Sequence, residues 1–83
     1  MLNIHLALEF SKIVVRELQR VREKRGVSKK QLSEKSGVSR AAITMIEAGE
    51  RNPSLYVMQA LASALGCKLS TLIAKAEKEI AVQ

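Results

Sequence analysis

Aspartate is absent from all 83 residues, tryptophan is absent too, and cysteine, histidine, proline, tyrosine and phenylalanine occur once each. A disulfide within the chain is excluded, because Cys67 has no second cysteine to pair with. Metal sites draw on clustered Cys, His and carboxylate ligands, and a lone His5, a distant Cys67 and no aspartate give no such set. The expectation is therefore no metal and no cofactor. Nucleophilic catalysis needs a nucleophile, a base and an orienting acid within reach of one another. His5 sits in the first ten residues and Cys67 in an apolar stretch far along the chain, and the spacing of the glutamates suggests no shared cleft, so no enzyme is expected. Long apolar runs are missing as well. The longest uncharged run, Asn52 to Cys67, is 16 residues and contains Pro53, Ser54 and Gly66, short of the ~20 apolar residues a membrane span requires. The first ten residues are apolar but lack a basic start and a small-residue cleavage site. With one unpaired cysteine suiting a reducing compartment, a cytoplasmic protein is expected.

At 9.1 kDa the chain has the size of one small domain, 1–83, with no room for a separate sensor domain and hence no expected small-molecule effector. So small a core usually needs support, and without disulfide or metal that leaves well-packed helices, oligomerisation, or both. Charge is abundant and uneven. The net charge is +6, yet residues 12–40 alone carry +7, residues 1–11 carry −1, and residues 41–83 cancel. A basic first half on a near-neutral second half is the footprint of a face that meets a polyanion.

Gly26, Gly37, Gly49 with Pro53, and Gly66 punctuate the chain at helix-length intervals. Phe10, Val14, Leu18 and Val21 recur at helical spacing ahead of Gly26. Ser28 begins S-x-x-Q, a capping box opening a helix that ends by Gly37. Ser39 is the next N-cap, before Ile43 and Ile46, and Ser54 the third, before a stripe of Leu55, Met58, Leu61, Ala62 and Leu65. Tyr56 and Val57 fall off that stripe and are expected to be partly exposed, either scattered on the surface or in a dimer seam. Leu69, Leu72, Ile73, Ala76 and Ile80 mark a last amphipathic helix. Residues 1–10 read two ways. Leu2, Ile4, Leu6, Leu8 and Phe10 alternate as in a strand, whereas Leu and Ala favour a helix and no breaker separates them from the next segment. The balance goes to a helical N-terminal extension. The fold class is all-α, five helices.

The informative segment is 29–47, two short helices joined by Gly37-Val38-Ser39. Leu32, Val38, Ile43 and Ile46 supply a shared core, Ser33 a small residue where the helices cross, and one face of the second helix is left outside. Here the chain resembles the repressor/Cro-type (XRE) family of helix-turn-helix regulators of bacteria and phages. The resemblance runs from about Leu18 to Ile73. It rests on Leu18-x-x-Val21-Arg22-x-x-x-Gly26-Val27-Ser28, on Leu32-Ser33, on Gly37-Val38-Ser39-x-x-x-Ile43-x-x-Ile46-Glu47-x-Gly49, and on Arg51-Asn52-Pro53-Ser54-Leu55 followed by Ala62-x-x-Leu65-Gly66. It implies a lambda-repressor-like five-helix DNA-binding domain, usually dimeric, that regulates transcription. Three positions depart from the family's usual pattern: Lys29 replaces Gln, Ser33 replaces Ala, and Ala48 replaces Asn.

On the outer face of the second of these helices, Arg40 is suited to a guanine edge or a phosphate, Thr44 to a base or the backbone, and Ala41 and Met45 to thymine methyls. Ser28, Lys29, Ser39, Arg51, Asn52 and Ser54 flank helix ends, where amides and short polar groups hold phosphates. Glu47 lies in the last turn of its helix, where the dipole disfavours a carboxylate, so a compensating cation is expected, and the resemblance suggests Arg22. The family's dimers commonly pair through C-terminal helices. Residues 69–83, with the stripe Leu69, Leu72, Ile73, Ala76 and Ile80, are therefore expected at a homodimer interface, aided by the N-terminal segment. The expected function is sequence-specific binding of a double-stranded operator by a homodimeric transcriptional repressor or autoregulator. The competing expectation is an antitoxin-like or adaptor module whose main partner is a toxin or other protein.

Overall fold

Serine hydroxyls begin three of the five helices in the computed structural model, which describes residues 4–81. In chain order these are α1 (Ile4–Lys24), α2 (Lys29–Ser36), α3 (Arg40–Glu47), α4 (Leu55–Leu65) and α5 (Leu69–Ala81), with no strand among the described residues. The all-α, five-helix expectation holds. Leu2 and the last two residues of the expected helix 69–83 lie outside the described residues.

The first 21-residue helix settles the ambiguity at the N-terminus, since Ile4 to Phe10 are helical and continuous with the rest of α1. The alternation of large residues is explained by two helical faces. Leu6 and Phe10, one turn apart, are half-buried, while Ile4 and Leu8, also one turn apart, are exposed. Farther along, Ile13, Val14 and Leu18 enter the core beside Leu32, Ile43, Leu61, Ala62, Leu65, Leu69, Leu72 and Ala76. At 1.5 Å per residue α1 is about 31 Å long, and its most extensive packing is against α5. Two ion pairs run along that antiparallel contact, Arg16–Glu79 at 2.6 Å and Lys75–Glu17 at 3.6 Å. Glu17 is itself buried and also accepts a 2.8 Å hydrogen bond from Arg20.

This packing corrects two expectations. Leu69, Leu72 and Ala76 are buried in the protomer's own core, so the α5 stripe is not surplus, and only Ile73 and Ile80 remain half-buried. The reason is α1: α5 packs along it, with Glu79 and Lys75 paired to Arg16 and Glu17 near its middle. Leu55, placed on the inner stripe of α4, is 65% exposed. Val57, expected to be partly exposed, is half-buried against the core. Leu55 is the first residue after the Ser54 cap, in the opening turn of α4. Tyr56 is exposed, as expected, and Cys67 is half-buried against the core.

Two arginines tie the helix ends together. Arg25 Nη1 donates to the Leu65 carbonyl at the end of α4. Gly66 there has φ +74°, and a Cβ would come within 3.2 Å of the same guanidinium. Arg22 grips Glu47 through two hydrogen bonds, Nε to Oε2 at 2.8 Å and Nη2 to Oε1 at 2.9 Å, and its Nη1 donates to the Val27 carbonyl at 2.9 Å. Both side chains are about 10% exposed. The hydrogen bond to Glu47 raises the Arg22 pKa above the ordinary arginine range. Its contribution to stability is thus present from neutral pH up to that ordinary range and is lost in stronger alkali.

Removing one member of so enclosed a pair strands the other. Glu47→Leu is expected to lower unfolding stability by about 3 kcal/mol, with Arg22→Met/Glu47→Leu costing less than Arg22→Met and Glu47→Leu combined. Urea unfolding of the four proteins measures both. Additive losses would show that the pair does not act as a unit.

Candidate nucleic-acid interface

The turn between α2 and α3 is built from three consecutive residues. Gly37 adopts φ +78°, which a side-chain-bearing residue rarely tolerates, and its N–H donates to the Ser33 carbonyl at 2.9 Å. Val38 is half-buried against the core, and Ser39 caps α3 by accepting from the Ala42 N–H at 3.1 Å. These constraints fix the rotation of α3. Ala42, Ile43 and Ile46 are buried, and Arg40, Ala41, Thr44 and Met45 are all exposed on the opposite side. The four residues assigned to base edges therefore share one solvent-facing surface. Arg40 makes no ion pair among the described residues, so its guanidinium is available to an external acceptor.

The residues assigned to phosphates lie at helix starts and in the α3–α4 loop. Ser28 and Gln31 form a reciprocal capping box, at 3.0 and 2.9 Å, and Ser54 accepts from the Val57 N–H at 3.1 Å. In each cap the serine oxygen uses a lone pair, so the hydroxyl proton remains to be donated outward. Lys29 is the first residue of α2 and is half-buried, whereas Arg51 is exposed and has no ion pair among the described residues. Asn52 is exposed, and its Oδ1 accepts a 2.5 Å hydrogen bond from the Ser11 hydroxyl of α1. Pro53, next to it, is buried.

Ser11 carried no signal in the sequence. It lies 41 residues from Asn52, outside every motif, and only the packing of α1 brings them together. Both line an open groove of about 700 Å³ between α1 and the α3–α4 loop, whose lining also includes Val15, Ile46 and Pro53 together with Glu9, Lys12, Glu50 and Arg51. Glu47 and Arg22 serve the fold at this place: the pair anchors the end of α3 from behind.

Residues 18–72 match the family described as helix-turn-helix. The chain is similar to the immunity repressor protein of Bacillus phage phi105, 35% identical over 60 residues that span 72% of this chain and 42% of that protein. It is similar to an HTH-type transcriptional regulator of Sinorhizobium fredii, 30% identical over 59 residues, 71% of this chain and 77% of the relative. An HTH-type transcriptional regulator of Haemophilus influenzae is 40% identical over 68 residues, 82% of this chain and 63% of the relative. The chain thus spans less than half of the phage repressor and under two thirds of the Haemophilus protein.

Cations that read bases and cations that hold the backbone leave different signatures. Arg40→Ala is expected to cost about 1–3 kcal/mol of duplex affinity and to relax preference at one position per half-site. Lys29→Ala is expected to weaken all duplexes alike and to make the salt slope shallower by about one unit. Titrations of both variants against a preferred and a scrambled duplex separate the two. A uniform loss for Arg40→Ala would move that residue to the backbone class.

Proposed function

This chain belongs to the XRE-type family of helix-turn-helix, DNA-binding transcription regulators, and we propose that it acts as a repressor or autoregulator that binds a specific double-stranded operator as a homodimer in the cytoplasm. The observation that carries this reading is the outer face of α3, where Arg40, Ala41, Thr44 and Met45 stand exposed on a helix whose other side is locked into the core. A side chain can read a base edge only if it is free of internal partners and held on a rigid element. The basic bias of residues 12–40 supplies the non-specific attraction to a duplex. In this reading Ser28, Lys29, Ser39, Arg51, Asn52 and Ser54 hold phosphates.

The homodimer is supported by what the small core leaves uncovered. Ile4 is 69% exposed and Leu8 42% exposed on α1, and Ile73 and Ile80 are half-buried on the α5 packed beside it. A symmetric partner covers such residues at less cost than water does. Leu55 and Tyr56, exposed at the start of α4, favour a second reading, an antitoxin-like or adaptor module that meets a toxin or other protein. No single helix among the described residues is long and apolar enough to cross a membrane.

Selection from a random duplex pool is expected to return palindromic sites with half-sites about 10 bp apart, or a multiple of that spacing. Affinity is expected to fall with salt at a log–log slope of about −0.9 per phosphate neutralised. Sedimentation is expected to show a dimer that Leu8→Glu or Ile73→Glu converts to a monomer with much weaker operator binding. A flat salt response without sequence preference sinks the regulator reading. A wild type that stays monomeric on its operator sinks the dimer.

A further inference from the structure

We infer that Ser11 is a positioning residue for DNA binding, one that turns the side chain of Asn52 so that its amide N–H donors face the duplex backbone. The inference rests on the proposed operator-binding function, in which the α3–α4 loop meets phosphates, and it adds to the interface a residue from α1 that precedes the family match at residues 18–72.

An asparagine side chain has two unlike ends. Oδ1 only accepts hydrogen bonds and Nδ2 only donates, whereas a phosphate oxygen only accepts. An asparagine free to rotate presents the wrong end for part of the time and loses rotational freedom when it binds. In this chain the Ser11 Oγ–H donates to Asn52 Oδ1 at 2.5 Å, which pins the accepting end against α1 and leaves Nδ2 as the outward end. Ser11 is half-buried and Asn52 exposed, so the bond runs from the body of the protein to its surface.

The platform that carries Ser11 is itself fixed, because Ile13, Val14 and Val15 just beyond it on α1 are buried. Farther along, Arg16 pairs with Glu79 at 2.6 Å and Glu17 with Lys75 at 3.6 Å, both on α5. On the loop side, the buried Pro53 limits the backbone next to Asn52, so the side-chain torsions are the main freedom left to that residue. A single hydroxyl removes that freedom. Pre-ordering one side chain in its bound rotamer is worth about three- to tenfold in affinity per protomer.

The test is a double-mutant cycle on duplex binding, using the full chain as wild type, Ser11→Ala, Asn52→Ala, the double variant and Ser11→Thr. Each alanine variant is expected to weaken all duplexes by about three- to tenfold per protomer, with the salt slope unchanged because no cation is lost. The double variant is expected to bind no more weakly than Asn52→Ala, and Ser11→Thr, which keeps the hydroxyl, to bind as the wild type does. Thermal midpoints are expected to stay alike. In the free protein, the Asn52 side-chain amide signals in a heteronuclear NMR spectrum are expected to shift in Ser11→Ala. Additive losses, an affinity loss that tracks lost thermal stability, or unshifted Asn52 signals would overturn the role of Ser11 while leaving DNA binding in place. A wild type that binds no duplex would overturn both readings.

Discussion

The bidentate grip of Arg22 on Glu47 is the contact on which the placement of the outer face of α3 depends. Glu47 ends α3, Arg22 lies near the end of α1, and the third arm of the guanidinium holds the Val27 carbonyl just before α2 begins. One planar group therefore sets the relation of three helices. A lysine would supply the charge but not the fork. The enclosure of the pair is also what makes it demanding, since each charge is tolerable there only because the other is present.

The rest of the helix-turn-helix is arranged around that fixed point by short-range chemistry. Ser28, Ser39 and Ser54 each close the first turn of a helix by accepting from an N–H three residues on, and Gly37 reverses the chain where a Cβ would be strained. The core then needs only one or two large residues from each short helix, Leu32 from α2, and Ile43 and Ile46 from α3. α1 and α5 do the bulk of the packing, and their long contact compensates for the short helices between them.

What the sequence revealed and what it concealed divide along the same line. Caps, turns and the buried face of α3 are local, so Ser28, Gly37, Ser39, Ile43 and Ile46 could be read directly, and Arg22 with Glu47 followed from the family's pattern. Contacts between residues far apart in the chain left no trace. Arg16–Glu79, Glu17–Lys75 and Ser11–Asn52 all depend on how α1 packs against α5 and the α3–α4 loop, which spacing along the chain does not give. The α5 stripe looked too long for one core for the same reason, although Leu69, Leu72 and Ala76 share one core with Ile13, Val14 and Leu18 of α1. Leu55 was misplaced for a different reason: spacing gives the phase of a stripe but not the point at which the helix enters the core.

The two sides of α3 answer to different demands on only eight residues. Ala42, Ile43 and Ile46 are committed to packing, whereas the side chains of Arg40, Ala41, Thr44 and Met45 are exposed and make no hydrogen bond or ion pair among the described residues. Substitutions on the outer side are then nearly neutral for folding. In the proposed reading of that face, a lineage carrying this domain can drift from one target sequence to another without passing through unfolded intermediates. Duplicated copies can diverge in what they read while keeping the same scaffold.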